Sequence, residues 1–157
     1  MSTRKRSAVA ENASLQSKEN AKYVLDEQVG FLMRKAQQRH IAIFQQTIGP
    51  GGPTPTQFAA LSRLAASKEI SQNQLGRLTA MDPATIKGVI TRLAERGLVE
   101  RLPDPNDQRR VLIRLSDQGR ALMPELFARA AAITAATLQP LTEKEAQQLS
   151  LLLAKLC

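Results

Sequence analysis

GLVERLPDPNDQRRVLIRLSDQG, residues 97–119, decides the fold. Two short apolar runs, 98–102 and 111–115, flank a polar loop of Pro103, Asp104, Pro105, Asn106 and Asp107. Turn-forming residues between two alternating runs predict a β-hairpin. Arg109 and Arg110 are expected at its tip, beside Asp107. A hairpin with paired arginines at its end, preceded by a helix, has the form of a wing that reaches along DNA.

The helix that precedes it is predicted over 83–96, capped by Asp82, started by Pro83 and ended by Gly97. At 100° per residue, Ile86, Val89, Ile90 and Leu93 form one apolar face. The opposite face carries Ala84, Lys87, Gly88, Thr91 and Glu95, with Thr85 and Arg92 on its flanks. A mid-helix glycine costs roughly 1 kcal/mol against alanine, which is tolerable where a partner must approach the backbone closely. Small polar groups, a lysine and a glycine on one face suit entry into a major groove. The plainer alternative is a solvated face with an incidental glycine. A short helix over 71–78, capped by Ser71, and the turn at Thr79, Ala80 and Met81 complete a helix-turn-helix.

Further out, an apolar stripe through Val24, Leu25, Phe31, Leu32, Ala36, Ile41 and Phe44 predicts a helix over 24–48. Gly49-Pro50-Gly51-Gly52-Pro53 must end it. Thr54, Pro55 and Gln57 have capping-box spacing for a helix to about Ser67. After the hairpin, Ser116 or Asp117 caps an alanine-rich helix to Leu138, and Pro140 breaks it. Thr142 and Glu145 open a last helix with Leu149, Leu152, Leu153 and Leu156 on one face.

The 157 residues carry a formal net charge of +8, which favours a polyanionic partner. The excess is uneven: +3 over 1–22, +3 over 71–114 and zero over 117–157. Residues 1–21 read as a basic disordered arm containing Arg4, Lys5 and Arg6. No apolar stretch approaches the ~20 residues needed to cross a bilayer, so no membrane partner is expected. With Cys157 the single cysteine, no internal disulfide can form, and a cytoplasmic setting fits. One histidine, one cysteine and no glycine-rich phosphate loop leave no nucleophile–base pair and no metal cluster. Neither an enzyme nor a cofactor is expected.

The hairpin tip has a structural reading and a functional one. Arg in a narrow minor groove gains from the enhanced negative potential there, and Asp107 is placed to orient the Arg109 guanidinium. The alternative is a surface ion pair worth under ~1 kcal/mol. Arg77, Arg101 and Arg114 are candidate phosphate contacts.

The stretches TIKGVITRLAERGLV (85–99), DPNDQRR (104–110) and LSDQG (115–119) resemble, in that order, the MarR family of bacterial winged helix-turn-helix regulators. The resemblance covers about 22–157 and implies a mainly α fold. A winged helix-turn-helix over 54–116 would be flanked by dimerisation helices at 22–49 and 117–157. It implies a two-fold homodimer on a pseudo-palindromic, double-stranded operator. The helix at 83–96 would read the major groove, and Arg109, oriented by Asp107, would enter the minor groove. Where the family often has arginine before the wing arginine, this chain has Gln108, which puts one phosphate contact in doubt.

Members of this family often repress genes until a small phenolic or carboxylic ligand binds between the dimerisation helices and the DNA-binding lobe. The matching candidates are Arg39, His40, Phe44 and Phe58, with a satisfied or solvent-facing His40 as the alternative. The chain also resembles the branch that represses nicotinate degradation and takes a hydroxylated nicotinate as inducer. The resemblance therefore predicts a repressor released by a small aromatic acid. The competing expectation is an architectural, weakly specific DNA-binding protein without a ligand switch.

Overall fold

The computed structural model describes residues 23–157, excepting the side chains of Gln108 and Arg109. The basic arm predicted over 1–21 lies outside the described residues. The chain divides after Arg39 into two compact units.

In the first unit the helix expected from Val24 instead begins as a 3₁₀ turn, Leu25–Glu27. Gln28 has extended φ/ψ of −78°/129° and separates that turn from helix α1, Val29–Ile48. Its amide side chain donates to the Val24 carbonyl at 3.0 Å, an alternative to continuing the helix. Lys35 pairs with Asp26 at 3.7 Å, and the Phe31 ring lies under the cationic ends of Arg34 and Lys35. Val29, Leu32 and Met33 are exposed here.

The second unit contains the end of α1, then α2 (Pro55–Ala65), β1 (Ile70–Ser71), α3 (Gln72–Leu78) and α4 (Pro83–Glu95). The hairpin β2 (Val99–Asp104) and β3 (Asp107–Leu115) follows, then α5 (Asp117–Leu138) and α6 (Glu143–Leu156). The helix starts are those their caps dictate. Thr54 and Gln57 form a capping box with Pro55 in the first turn of α2, which ends at Ala65 rather than near Ser67. The hydroxyls of Ser71, Ser116 and Thr142 accept from the first turns of α3, α5 and α6. Gly97, at φ 69°, supplies the left-handed residue that turns the chain out of α4.

Leu61, Leu64, Leu75, Ile86, Ile90, Leu93 and Ile113 are the largest fully buried side chains, drawn from α2, α3, α4 and β3. Truncating any one of them to alanine costs about 2–5 kcal/mol. Ile86, Val89, Ile90 and Leu93, the apolar face read from the helical period, are all within this core. Gly76 lets α3 and α4 close up, because a Cβ there would meet the Met81 carbonyl at 3.1 Å and Ile86 at 3.3 Å.

The sheet has the order β1-β3-β2. Strand β1 was not expected: it is two residues long and exists because Ile70 and Ser71 pair with Ile113 and Leu112. Both hairpin strands run further toward the turn than the apolar runs indicate. Pro103 is tolerated because β2 is an edge strand. At the far end, Ser116 donates to the Gly97 carbonyl at 2.6 Å and accepts from the Gly119 amide at 3.0 Å. A side chain at Gly119 would collide with the Leu98 carbonyl. The Leu-Ser-x-x-Gly exit of the hairpin is thus the junction that seats α5 against the end of α4.

By length and composition alone, the 22-residue α5 could cross a bilayer. This corrects the expectation that no stretch is apolar enough. In this fold Gly119, Met123, Leu126 and Ile133 of α5 are buried in the core, while Arg120, Glu125 and Arg129 lie along its length.

Candidate nucleic-acid interface

The DNA-reading candidates lie on the face of α4 turned from the core. Ala84, Thr85, Lys87 and Arg92 are exposed, Gly88 and Thr91 half-buried. A Cβ built on Gly88 meets nothing within 4 Å, so no internal packing requires a glycine there. The space above it is open to whatever docks on α4.

Two hydroxyls on this face are already oriented. Asp82 accepts from the Ala84 and Thr85 amides, each at 2.9 Å, and from the Thr85 hydroxyl at 2.5 Å. The Thr85 hydroxyl, then the Thr85 amide, holds the Asp82 carboxyl below its ordinary range. With its proton given to Asp82, the exposed Thr85 hydroxyl keeps lone pairs that can accept. Thr91 accepts from Arg101 Nη2 at 2.7 Å, which leaves its own O–H free to donate.

The wing turn is made by Pro105 and Asn106, with Asp104 Oδ1 accepting from the Asn106 amide at 2.9 Å. Asp104 pairs with Asp107, whereas its neighbour Pro103 pairs with Val111. Gln108, Arg109 and Arg110 consequently bulge from β3, since no β2 residue stands opposite them. This corrects the placing of both residues at the tip: their backbone lies in the bulged shoulder of the hairpin. Arg110 is exposed, as is Asp107; the predicted Arg109–Asp107 pairing involves a side chain outside the described residues.

Two of the three candidate phosphate contacts have internal duties. Arg114 pairs with Glu100 at 2.8 Å and Glu69 at 3.8 Å across the sheet, and Glu100 raises its pKa further. Arg101 holds Thr91. Arg77, in the last turn of α3, is exposed.

Of the ligand candidates, the second unit brings His40, Phe44 and Phe58 together. His40 lies 6.5 Å from Phe44, and Phe44 meets Phe58 edge-on at 6.0 Å. Phe58 meets Phe127 of α5 edge-on at 6.4 Å, and His40 Nδ1 is hydrogen-bonded to Thr137 of α5 at 3.0 Å. Arg39 is exposed and belongs to the first unit. Phe127 and Thr137 were missed by the sequence reading. The available signal was scarcity: the chain has four phenylalanines, and three of them are in this ladder. A cavity of about 130 Å³ beside Phe44, bounded also by Ile48, Pro53 and Pro55, is smaller than the ~300–1,000 Å³ usual for ligand pockets. Among the described residues no group of three or more His, Cys, Asp or Glu side chains could hold a metal ion.

A short helix, a tight turn, a second helix with an open polar face and a basic hairpin define a winged helix-turn-helix DNA-binding protein. A profile of the MarR family matches residues 54–111, the helix-turn-helix and most of the wing. The chain is 40% identical to the transcriptional repressor NicR of Pseudomonas putida over 138 residues, 88% of this chain and 87% of that one. A probable transcriptional regulator from Pseudomonas aeruginosa has a solved structure that superposes with a TM-score of 0.82 at 52% identity, covering 85% of this chain and all of that one. Bordetella bronchiseptica BpsR, whose DNA binding is regulated by 6-hydroxynicotinic acid, superposes with a TM-score of 0.82 at 42% identity, covering 85% and 96%. The chain belongs to the MarR family of transcriptional regulators.

Proposed function

We propose that this protein is a homodimeric repressor that holds a pseudo-palindromic operator until a small aromatic carboxylate binds. The open face of α4 carries the reading. Its core-facing side is fully committed to packing, while Lys87, Gly88, Thr85, Thr91, Arg92 and Ala84 are turned outward. Half-sites about one helical turn (~10 bp) apart would place two copies of α4 in successive major grooves. Thr85 then offers an acceptor and a methyl group to base edges, and Lys87 and Arg92 offer cations. Arg109 and Arg110, on the bulged shoulder of the wing, reach the adjacent minor groove, with Asp107 orienting Arg109. The helices outside 54–116 make the dimer, and the exposed Leu149, Leu151, Leu152, Leu153 and Leu156 of α6 supply apolar surface for it. Such a regulator acts in the bacterial cytoplasm, and catalysis has no part in the reading.

The effector we infer is 6-hydroxynicotinate or a close single-ring analogue. The aromatic ladder, with His40 at one end, gives a ring faces to pack against and its carboxylate or ring nitrogen a hydrogen-bonding partner. Arg39 is the adjacent cation in sequence. The 40% identity to NicR and the ligand of BpsR support the choice.

A ligand that binds the native state raises its apparent stability. Thermal unfolding across a series of aromatic acids should show a concentration-dependent rise with 6-hydroxynicotinate, lost in His40→Ala and Phe58→Ala. A flat response across the series would overturn the effector assignment. Equal affinity for operator and shuffled duplex would favour an architectural DNA-coating protein instead.

A further inference from the structure

Away from the DNA-reading face, two arginines from different helices grip one loop. The loop, 49–53, has little slack. Gly49 and Gly51 sit at φ 80° and 74°, a side chain at Gly52 would collide with Ile48, and Pro50 and Pro53 fix their own φ. Its near end is the C-terminus of α1, where helix carbonyls lack internal partners. Arg129 of α5 donates to those carbonyls, at 2.5 Å to Ile48 and 3.3 Å to Thr47, and is braced by Glu125 at 2.6 Å. The far end is held by Arg96, the residue that closes α4. It donates to the Gly51 carbonyl at 2.6 Å, to Gly52 at 3.4 Å and to the buried Gln57 side chain at 3.2 Å.

An open cleft of about 220 Å³ is bordered by the loop, by Leu122 and Leu126 of α5 and by both arginines. Ile48 and Leu126 are buried beside it, and the guanidinium bonds add a directional link between the loop and the helix ends. A planar fork of five donors holds several carbonyls in a fixed orientation, which an ammonium cannot do.

We propose that Arg96 and Arg129 are positioning residues that turn loop 49–53 into a strut, through which a displacement of α5 moves the C-terminal end of α4. The proposal rests on the reading of α4 as the DNA-reading helix. It supplies that reading with a route by which a ligand held against α5 changes the pitch of α4 in the groove. Because the two clamps act in series, breaking either one interrupts this route and leaves only the direct junction of Ser116 and Gly119 with Gly97 and Leu98.

Hydrogen exchange on the full chain tests this in wild type, Arg96→Gln, Arg129→Gln, the double variant and an Arg120→Gln control on α5. Arg129 makes no hydrogen bond to α4. Its loss should nevertheless speed exchange of the amides at 92–98 at least fivefold, as Arg96→Gln does, with no further gain in the double variant. If a glutamine variant does not fold, the lysine substitution at the same position keeps the charge while losing the fork, and is read the same way. Exchange that rises only in 47–53 and α5, or equally in Arg120→Gln, overturns the strut. A second readout is the ratio of operator affinities without and with 6-hydroxynicotinate. That ratio should fall at least fivefold in each variant while effector affinity stays within twofold. If the wild-type ratio is itself one, the proposed effector fails, and the exchange pattern still judges the strut.

Discussion

Arg101 of β2 donates to the hydroxyl of Thr91 on α4 at 2.7 Å, which ties the hairpin to the helix proposed to read DNA. The bond spans ten residues and crosses from strand to helix. On the proposed reading, it sets the angle between the surface offered to the major groove and the hairpin offered to the next minor groove.

A double-mutant cycle with Thr91→Val and Arg101→Ala measures that link. The two singles should weaken operator binding to a similar degree, and the double should be little worse than either. Their coupling in stability should be roughly 0.5–1.5 kcal/mol. Additive losses in operator affinity would mean that each side chain contacts DNA independently.

Gly88→Ala separates fold from function. A Cβ there meets nothing, so the free protein should gain up to about 1 kcal/mol from helix propensity. Operator affinity should nonetheless fall at least tenfold, because the methyl group stands where the groove must come close. A variant that is more stable and binds as tightly as wild type would return Gly88 to an incidental surface glycine.

Most helix starts were legible because each rests on local chemistry. Thr54 with Gln57, Ser71, Asp82 with Pro83, and Thr142 with Glu145 cap their own first turns within three residues. The apolar face of α4 was legible from period alone. What escaped depends on residues distant in sequence. Strand β1 is defined by Leu112 and Ile113, and Arg114 is paired with Glu69 and Glu100. The offset between the Pro103 and Asp104 pairings moved Arg109 and Arg110 from the tip to the shoulder. Phe127 and Thr137 join His40, Phe44 and Phe58 only when α5 packs back, and Arg96 and Arg129 meet the loop in the same way.

Acid should loosen the N-terminus of α4. The Asp82 carboxyl is held below its ordinary value of 3.8 by the Thr85 hydroxyl and amide. A depressed folded-state value means that the ionised cap stabilises above 3.8, and that this contribution is lost as pH falls through the lowered folded value. Asp82→Asn keeps a capping oxygen but does not titrate. Wild type should therefore have the higher melting temperature at neutral pH, and the gap should close below that value. A gap that is constant or widens in acid would contradict the cap's ionised role.

Arg109→Ala should leave the melting temperature within a few degrees of wild type, since position 109 lies in a bulge without a residue opposite it. Operator affinity at matched salt should drop at least tenfold. Any phosphate neutralisation lost with it should make the log K against log salt slope shallower by about 0.9. Unchanged affinity would remove Arg109 from the interface.

The most direct test of the central claim is fluorescence anisotropy of the full chain on its operator, at fixed salt, with and without 6-hydroxynicotinate. The account predicts binding at least about 10³-fold tighter than to a shuffled duplex, and a loss of at least tenfold when the acid saturates the protein. Tight, specific binding that no small aromatic acid weakens would contradict the switch, and affinity indifferent to sequence would contradict the DNA-reading role of α4 itself.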